Sequence, residues 1–278
     1  MMSAAAGKMA TFNGILSDSH SGPNKVKKFS REEAEANWEK ALQSTDELMQ
    51  NYKQSLIDYG VPDCDWLNKQ MEQLRKDKLD HEAHLLAVAR GTANADSLSV
   101  HPDPISTDIF TFCNQMATKF NQHCLDTTNP NFGTHPHWHN NCQRCVPAFE
   151  MLRRGENVTA RPSTYGSNHL AYHPFDVWEN PTVIHCTESG IDDIRREMSN
   201  WGDGARAQIV VYWNGAHRGG HTFIAEQKNG ETLFYDPQTG KTDAAKYFAH
   251  VIPHTTQFCR IDNLNFSKHI EVCYQGVS

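Results

Sequence analysis

No stretch of about 18 consecutive apolar residues occurs anywhere in the chain, so the sequence holds no membrane-spanning helix. A surplus of positive charge is also missing. Lys and Arg number 26 against 33 Asp and Glu, for a formal charge of -7, and without a broad basic surface nucleic acid is disfavoured as a partner. The opening residues MMSAAAGKMATFNGILSDSH include small side chains but no sustained apolar core, which speaks against a standard signal peptide. Cysteine is too sparse for a small secreted disulfide scaffold: the eight residues Cys64, Cys113, Cys124, Cys142, Cys145, Cys186, Cys259 and Cys273 are scattered over 278 positions. Reduced thiols in a protein made in a cytoplasm are expected, with delivery to a target cell or carriage inside a virion left open. There is no internal repeat.

What is present changes character along the chain. The length predicts two domains, and a mean hydropathy of -0.65 with 38% hydrophobic residues predicts that part of the chain is weakly folded. Residues 1–28 are rich in Gly, Ser and Asn and are expected to be disordered. A capping pair, Ser30 and Glu33, opens a segment in which Trp38, Ala41, Leu42, Leu48, Met49, Tyr52 and Leu56 recur at helical spacing up to Gly60. A second such segment carries Trp66, Leu67, Met71, Leu74, Leu79, His84 or Leu85, and Ala89 before Gly91. Residues 29–91 thus read as a helical hairpin or short coiled coil, an arm suited to spacing or docking. Residues 92–103 read as a linker, leaving 104–278 as the second domain.

In that second domain TDIFTFCNQMATKFNQHCL, CQRCVPAFEMLRRG and IDDIRREMSNWGDG have helical patterns. AQIVVYW, HTFIAEQ, TLFYD, QFCRID and HIEVCYQ are strand candidates separated by turn signals, which favours an antiparallel sheet. The predicted class is α+β, with helix packed on one face of the sheet.

Three residue types in this domain suggest chemistry. A helix N-terminus lowers a thiol pKa, and HNNCQRCVPAFEMLRRG puts Cys142 and Cys145 at one. A histidine within reach could act as general base, oriented by a third group. GGHTF offers His221 at the head of a strand, beside the open backbone of Gly219 and Gly220. If that strand turns back at Asn229, residue 237 faces 221, one step from Asp236. Which thiol would attack stays open. Pro147 fits a first helical turn and so favours a start near Cys145.

Taken together, NNCQRCVPAFEMLRRGENVTARP, GGHTFIAEQKNGETLFYDPQTGK and CRIDNLNFS, over about residues 140–266, resemble the papain-fold toxin 1 family of glutamine-deamidase or protease-like toxin domains. The resemblance implies a papain-like cysteine hydrolase site on Cys142, His221 and Asp236, with Gln238 in a supporting role and Cys145 as alternative nucleophile. It implies no cofactor. Its substrate would be an amide of a target protein, most simply a glutamine side chain. Protease or transglutaminase-like chemistry would share the same steps. Asn140 or Gln143 could assist backbone amides in holding the oxyanion. An immunity protein is implied as partner, and phage-head or delivery segments precede similar domains, which gives the helical arm a second reading as part of a carrier assembly.

Two other functions fit parts of the sequence. The chain could be a structural protein of a phage head or conjugation apparatus, docking through its helices. His135, His137, His139, Cys142 and Cys145 could instead form a zinc-binding interaction module, although no second CxxC or HxxxH follows. The three histidines read more simply as loop residues at the mouth of the site. Trp213, Phe223, Phe234 and Tyr235 read as sheet core.

Overall fold

The computed structural model describes residues 31–94, 96, 99–164, 166, 168–215 and 219–277. The segment expected to be disordered, 1–28, and the capping residue Ser30 lie outside them. Helices come first and antiparallel strands after, in an α+β arrangement. The chain divides into two units: Met1–Ser55 with Leu67–Phe112, and Leu56–Trp66 with Cys113–Ser278.

The first unit is built on helices α1 (Arg31–Asp58) and α2 (Asp65–Ala89). The apolar spacing read from the sequence becomes a shared seam in which Ala41, Met49, Tyr52 and Met71 are buried. The helices are antiparallel. Arg75 Nε donates to Asp46 Oδ1 at 2.6 Å, and Trp38 lies by Ala83, Leu86 and Ala87. Gly91, at φ 71°, turns the chain out of α2 while the Thr92 amide takes up the Ala87 carbonyl.

The second unit includes the turn Leu56–Trp66, whose Leu56 and Val61 are buried. Trp66 lies 5.1 Å from the Phe120 ring of α3 (Ile109–Thr128). Helix α4 (Cys142–Arg153) follows an irregular stretch. It starts at Cys142 and accommodates Pro147 within its span, so the proline does not move the start to Cys145. The cost is one intrahelical bond, because Pro147 has no N–H for the Gln143 carbonyl.

Next come β1 (Val158–Ala160), the single-turn helix α5 (His169–Tyr172), β2 (Ile184–His185), α6 (Ile191–Trp201), β3 (Arg206–Tyr212), β4 (Gly220–Lys228), β5 (Glu231–Tyr235), β6 (Gln257–Arg260) and β7 (Tyr274–Gly276). Five strands form one sheet in the order β2-β6-β3-β4-β5. The short strands β1 and β2 were not expected. The segment HIEVCYQ, expected as a strand of the sheet, is instead a 3-10 turn at Lys268–Val272 followed by β7, which pairs with β1 in a separate two-stranded sheet.

Helices cover both faces of the five-stranded sheet, not the one face expected. Ile209, Phe223, Ala225 and Phe234 share a face with Ile194 and Met198 of α6. By the strand alternation Arg206 and Glu226 point to the opposite face, where α4 meets them. Arg153 binds Glu226 through two contacts of 2.7 and 2.8 Å, and Glu150, with no exposed surface, is held by Arg206 at 2.7 Å and Arg154 at 2.9 Å.

Candidate active site

The β4–β5 hairpin closes through Asn229 and Gly230, both with positive φ (52° and 78°), between the paired residues Lys228 and Glu231. That is the two-residue primed turn whose twist matches paired strands. It sets a register in which Ile224 faces Tyr235, so that continuing the pairing puts residue 238 opposite 221, where the sequence suggested 237. The difference of one residue is decisive. Side chains alternate between faces, and only the observed register places His221 and Asp236 on the same face.

His221 Nε2 lies 3.1 Å from Asp236 Oδ2. The Cys142 thiol stands within hydrogen-bonding reach of the imidazole. The ring is clamped by aromatic neighbours, stacked on Trp213 at 5.7 Å and on Phe223 at 6.0 Å, with Tyr247 edge-on at 5.7 Å. Burial works against a charged imidazole here, but the Asp236 and Cys142 hydrogen bonds overcome it and raise the His221 pKa to about 10. Asp236 answers in the opposite sense. Burial pushes its carboxyl up, yet the bonds from His221, Tyr247 and Thr239 hold it below the ordinary carboxylate range.

Asp236 is 1% exposed and fully engaged. Its Oδ2 also accepts from Tyr247 OH at 2.8 Å and Thr239 Oγ1 at 2.9 Å, while Oδ1 accepts the Gln238 amide at 3.0 Å. Gln238 in turn carries the hairpin end across to α4: its Nε2 donates to Asn141 Oδ1 at 3.2 Å. Asn129 completes the link by donating to the Gln238 carbonyl at 2.9 Å and accepting from Asn141 Nδ2 at 3.2 Å. All three amides are buried. Asn141 immediately precedes Cys142, and its carbonyl receives the Arg144 and Cys145 amides at 2.8 and 3.0 Å.

Lengths match along this frame. Cys142 to Arg153 spans about 16 Å at the helical rise, and His221 to Glu226 about 17 Å at the strand rise. Arg153 is fastened to Glu226 at one end of β4, and Cys142 comes within reach of His221 near the other, although the odd spacing of Glu226 and His221 turns their side chains to opposite faces.

The two thiols differ sharply. Cys142 is partly exposed and its Sγ lies 3.7 Å from Gln143 Oε1. Cys145 has no exposed surface, packs against Ala148 and Ala160, and its pKa is raised well above that of a free thiol by burial. The loop histidines His135, His137 and His139 are exposed. Among the described residues they form no cluster of ligand atoms with the two cysteines. Sequence reasoning missed Asn129, Asn141, Thr239 and Tyr247. Asn141 and Thr239 flank singled-out residues and were within reach of it, whereas nothing local marks Asn129 or Tyr247.

A thiol at a helix N-terminus beside an imidazole that is itself held by a carboxylate is the constellation of cysteine-dependent acyl-transfer enzymes as a class. Residues 140–241 match the family described as papain fold toxin 1, glutamine deamidase. No curated protein and no solved structure matches the chain.

Proposed function

We propose that the chain is a papain-like cysteine amidohydrolase that deamidates glutamine side chains of a target protein. The observation that carries this reading is the contact of His221 with both Asp236 and the Cys142 thiol, on the segment that matches the glutamine-deamidase family.

His221 takes the Cys142 proton, and the thiolate adds to the amide carbon of the substrate. The resulting oxyanion meets the Cys142 and Gln143 amides, which open α4 and have no intrahelical acceptor. Collapse breaks the C–N bond, His221 protonates the departing nitrogen, and ammonia leaves a thioester on Cys142. Water, deprotonated by the same imidazole, then adds to the thioester, releasing a glutamate side chain and restoring the thiol. Asp236 keeps the imidazole oriented and stabilises its charged form throughout. Gln238 acts one step back, fixing Asn141 and hence the start of α4. Cys145, buried and protonated, takes no part in bond making. The toxin description of the matched family supports a protein substrate and a neutralising partner in the producing cell.

The test is ammonia release and a +1 Da mass change on glutamine-containing proteins. Cys142→Ala should abolish both, and Cys145→Ala should keep measurable activity. A Cys142→Ala protein that remains active defeats the assignment. So does a wild-type protein whose Cys142 fails to label preferentially with an iodoacetamide probe.

A further inference from the structure

We propose that the first unit carries a binding site for a divalent transition-metal ion of the zinc class, formed by Asp80, His84 and His101. Asp80 and His84 are four residues apart on α2, the spacing that puts two side chains on one helix face. His101 arrives from the segment that follows the helix. One ligand atom from each of the three lies within 4.8 Å of the others. His101 Nδ1 touches Asp80 Oδ2, and His84 Nδ1 lies 3.6 Å from Asp80 Oδ1.

The segment is held in place by bonds that do not involve these ligand atoms. His81 Nδ1 meets the His101 carbonyl at 2.7 Å, and Lys78 holds Asp103 at 2.8 Å. His84 Nδ1 is also 2.8 Å from the Asp80 carbonyl, a contact that coordination through this nitrogen would displace. His84 and His101 stand face to face, 3.4 Å between centroids and 14° from parallel. An imidazole holds a metal in the plane of its ring, so the two rings would swing apart from this parallel stack as both nitrogens turned to one ion.

Two imidazole nitrogens and one carboxylate oxygen suit Zn²⁺, Co²⁺ or Ni²⁺. They do not suit Ca²⁺ or Mg²⁺, which take oxygen, or Cu⁺, which prefers sulfur. The three side chains remain 29 to 53% exposed, so water can reach an ion there and complete its coordination. A bound ion would clamp the 101–105 segment to α2.

The experiment uses the full-length protein stripped with a chelator and titrated with Zn²⁺ by calorimetry, with bound metal measured after dialysis. One equivalent is expected for the wild type. His84→Ala and His101→Ala should each reduce affinity at least tenfold, while the loop variant His135→Ala/His137→Ala and Cys142→Ala should bind as wild type. Folding is checked by circular dichroism, with Asp80→Asn as a milder variant should an alanine variant misfold. No binding by the wild type, or binding lost only in the loop or Cys142 variants, overturns the site.

Discussion

Tyr247 shows how a residue without any local sequence signal can matter to the site. Its hydroxyl donates one of three hydrogen bonds to Asp236 Oδ2, and burial together with that carboxylate keeps it protonated. Tyr247→Phe removes one donor and leaves the others, so stability should fall by about 1.5 kcal/mol and turnover by no more than about tenfold, by that same energy. Asp236→Ala should cost turnover about 10²-fold or more, since the aromatic neighbours hold the ring but cannot accept its N–H or balance its charge. Comparing the kcat of the two variants checks this, and equal losses would contradict it. The coupled charges also give a pH dependence. His221 has a raised pKa in the fold, so its stabilisation is complete below about 6.5 and is lost as pH climbs through about 10. Asp236 has a depressed pKa, so its contribution is complete above 3.8 and lost as pH falls through the lower folded value. Between about pH 4 and 6.5 both hold. The melting temperature of the wild type should exceed that of His221→Gln most in that window, and the gap should shrink steadily from pH 6.5 to 10. A gap that stays constant would show that the imidazole is not held in its charged form.

At the scale of the elements, α4 has two jobs, and the same ion pairs serve both. Glu150 and Arg153 fasten its body to β3 and β4, which fixes the height of its N-terminus against His221. Removing one partner of a buried pair leaves the other charge without compensation. Glu150→Ala should therefore lower stability by about 3 to 5 kcal/mol, read as a shift in the urea midpoint. It should also depress activity at urea-free conditions where the variant is still folded, because the helix is no longer held at its full length. The hairpin makes the complementary point. Its register depends on two residues, Asn229 and Gly230, whose backbone adopts the left-handed region, and a slip by one position would send Asp236 to the other face. The Asn-Gly dipeptide was visible in the sequence; that it closes with two residues and not around Asn229 as a centre was settled by strand pairing.

On the scale of the whole molecule, the division into units is not the division that composition suggested. The turn Leu56–Trp66 belongs with the sheet-bearing unit, although it lies in the middle of the helical hairpin in sequence. Tyr59 OH bonds Asn114 at 3.3 Å, and Pro62 and Cys64 sit against Gly155. A fragment beginning at residue 104 lacks this turn and uncovers what it packs against. It should unfold at a lower urea concentration than the full chain, and a fragment of equal stability would show the turn to be dispensable. Among the described residues no helix is long and apolar enough to cross a membrane.

The sequence by itself determined the local patterns: two amphipathic helices with their terminal glycines, the helix that begins with the cysteine pair, the alternating strands and the tight turn after Lys228. Each of these follows from neighbours a few residues apart, which is why periodicity and turn chemistry reveal them. It also pointed to Cys142, His221, Asp236 and Gln238 through short motifs. The tertiary structure alone decided that Pro147 is absorbed inside α4, that Cys145 is sealed from solvent, that helices cover both faces of the sheet, and that Asn129 and Tyr247 brace the site. Those outcomes depend on burial and on contacts between residues far apart in the chain, and no local pattern encodes which distant partner will satisfy a buried polar group.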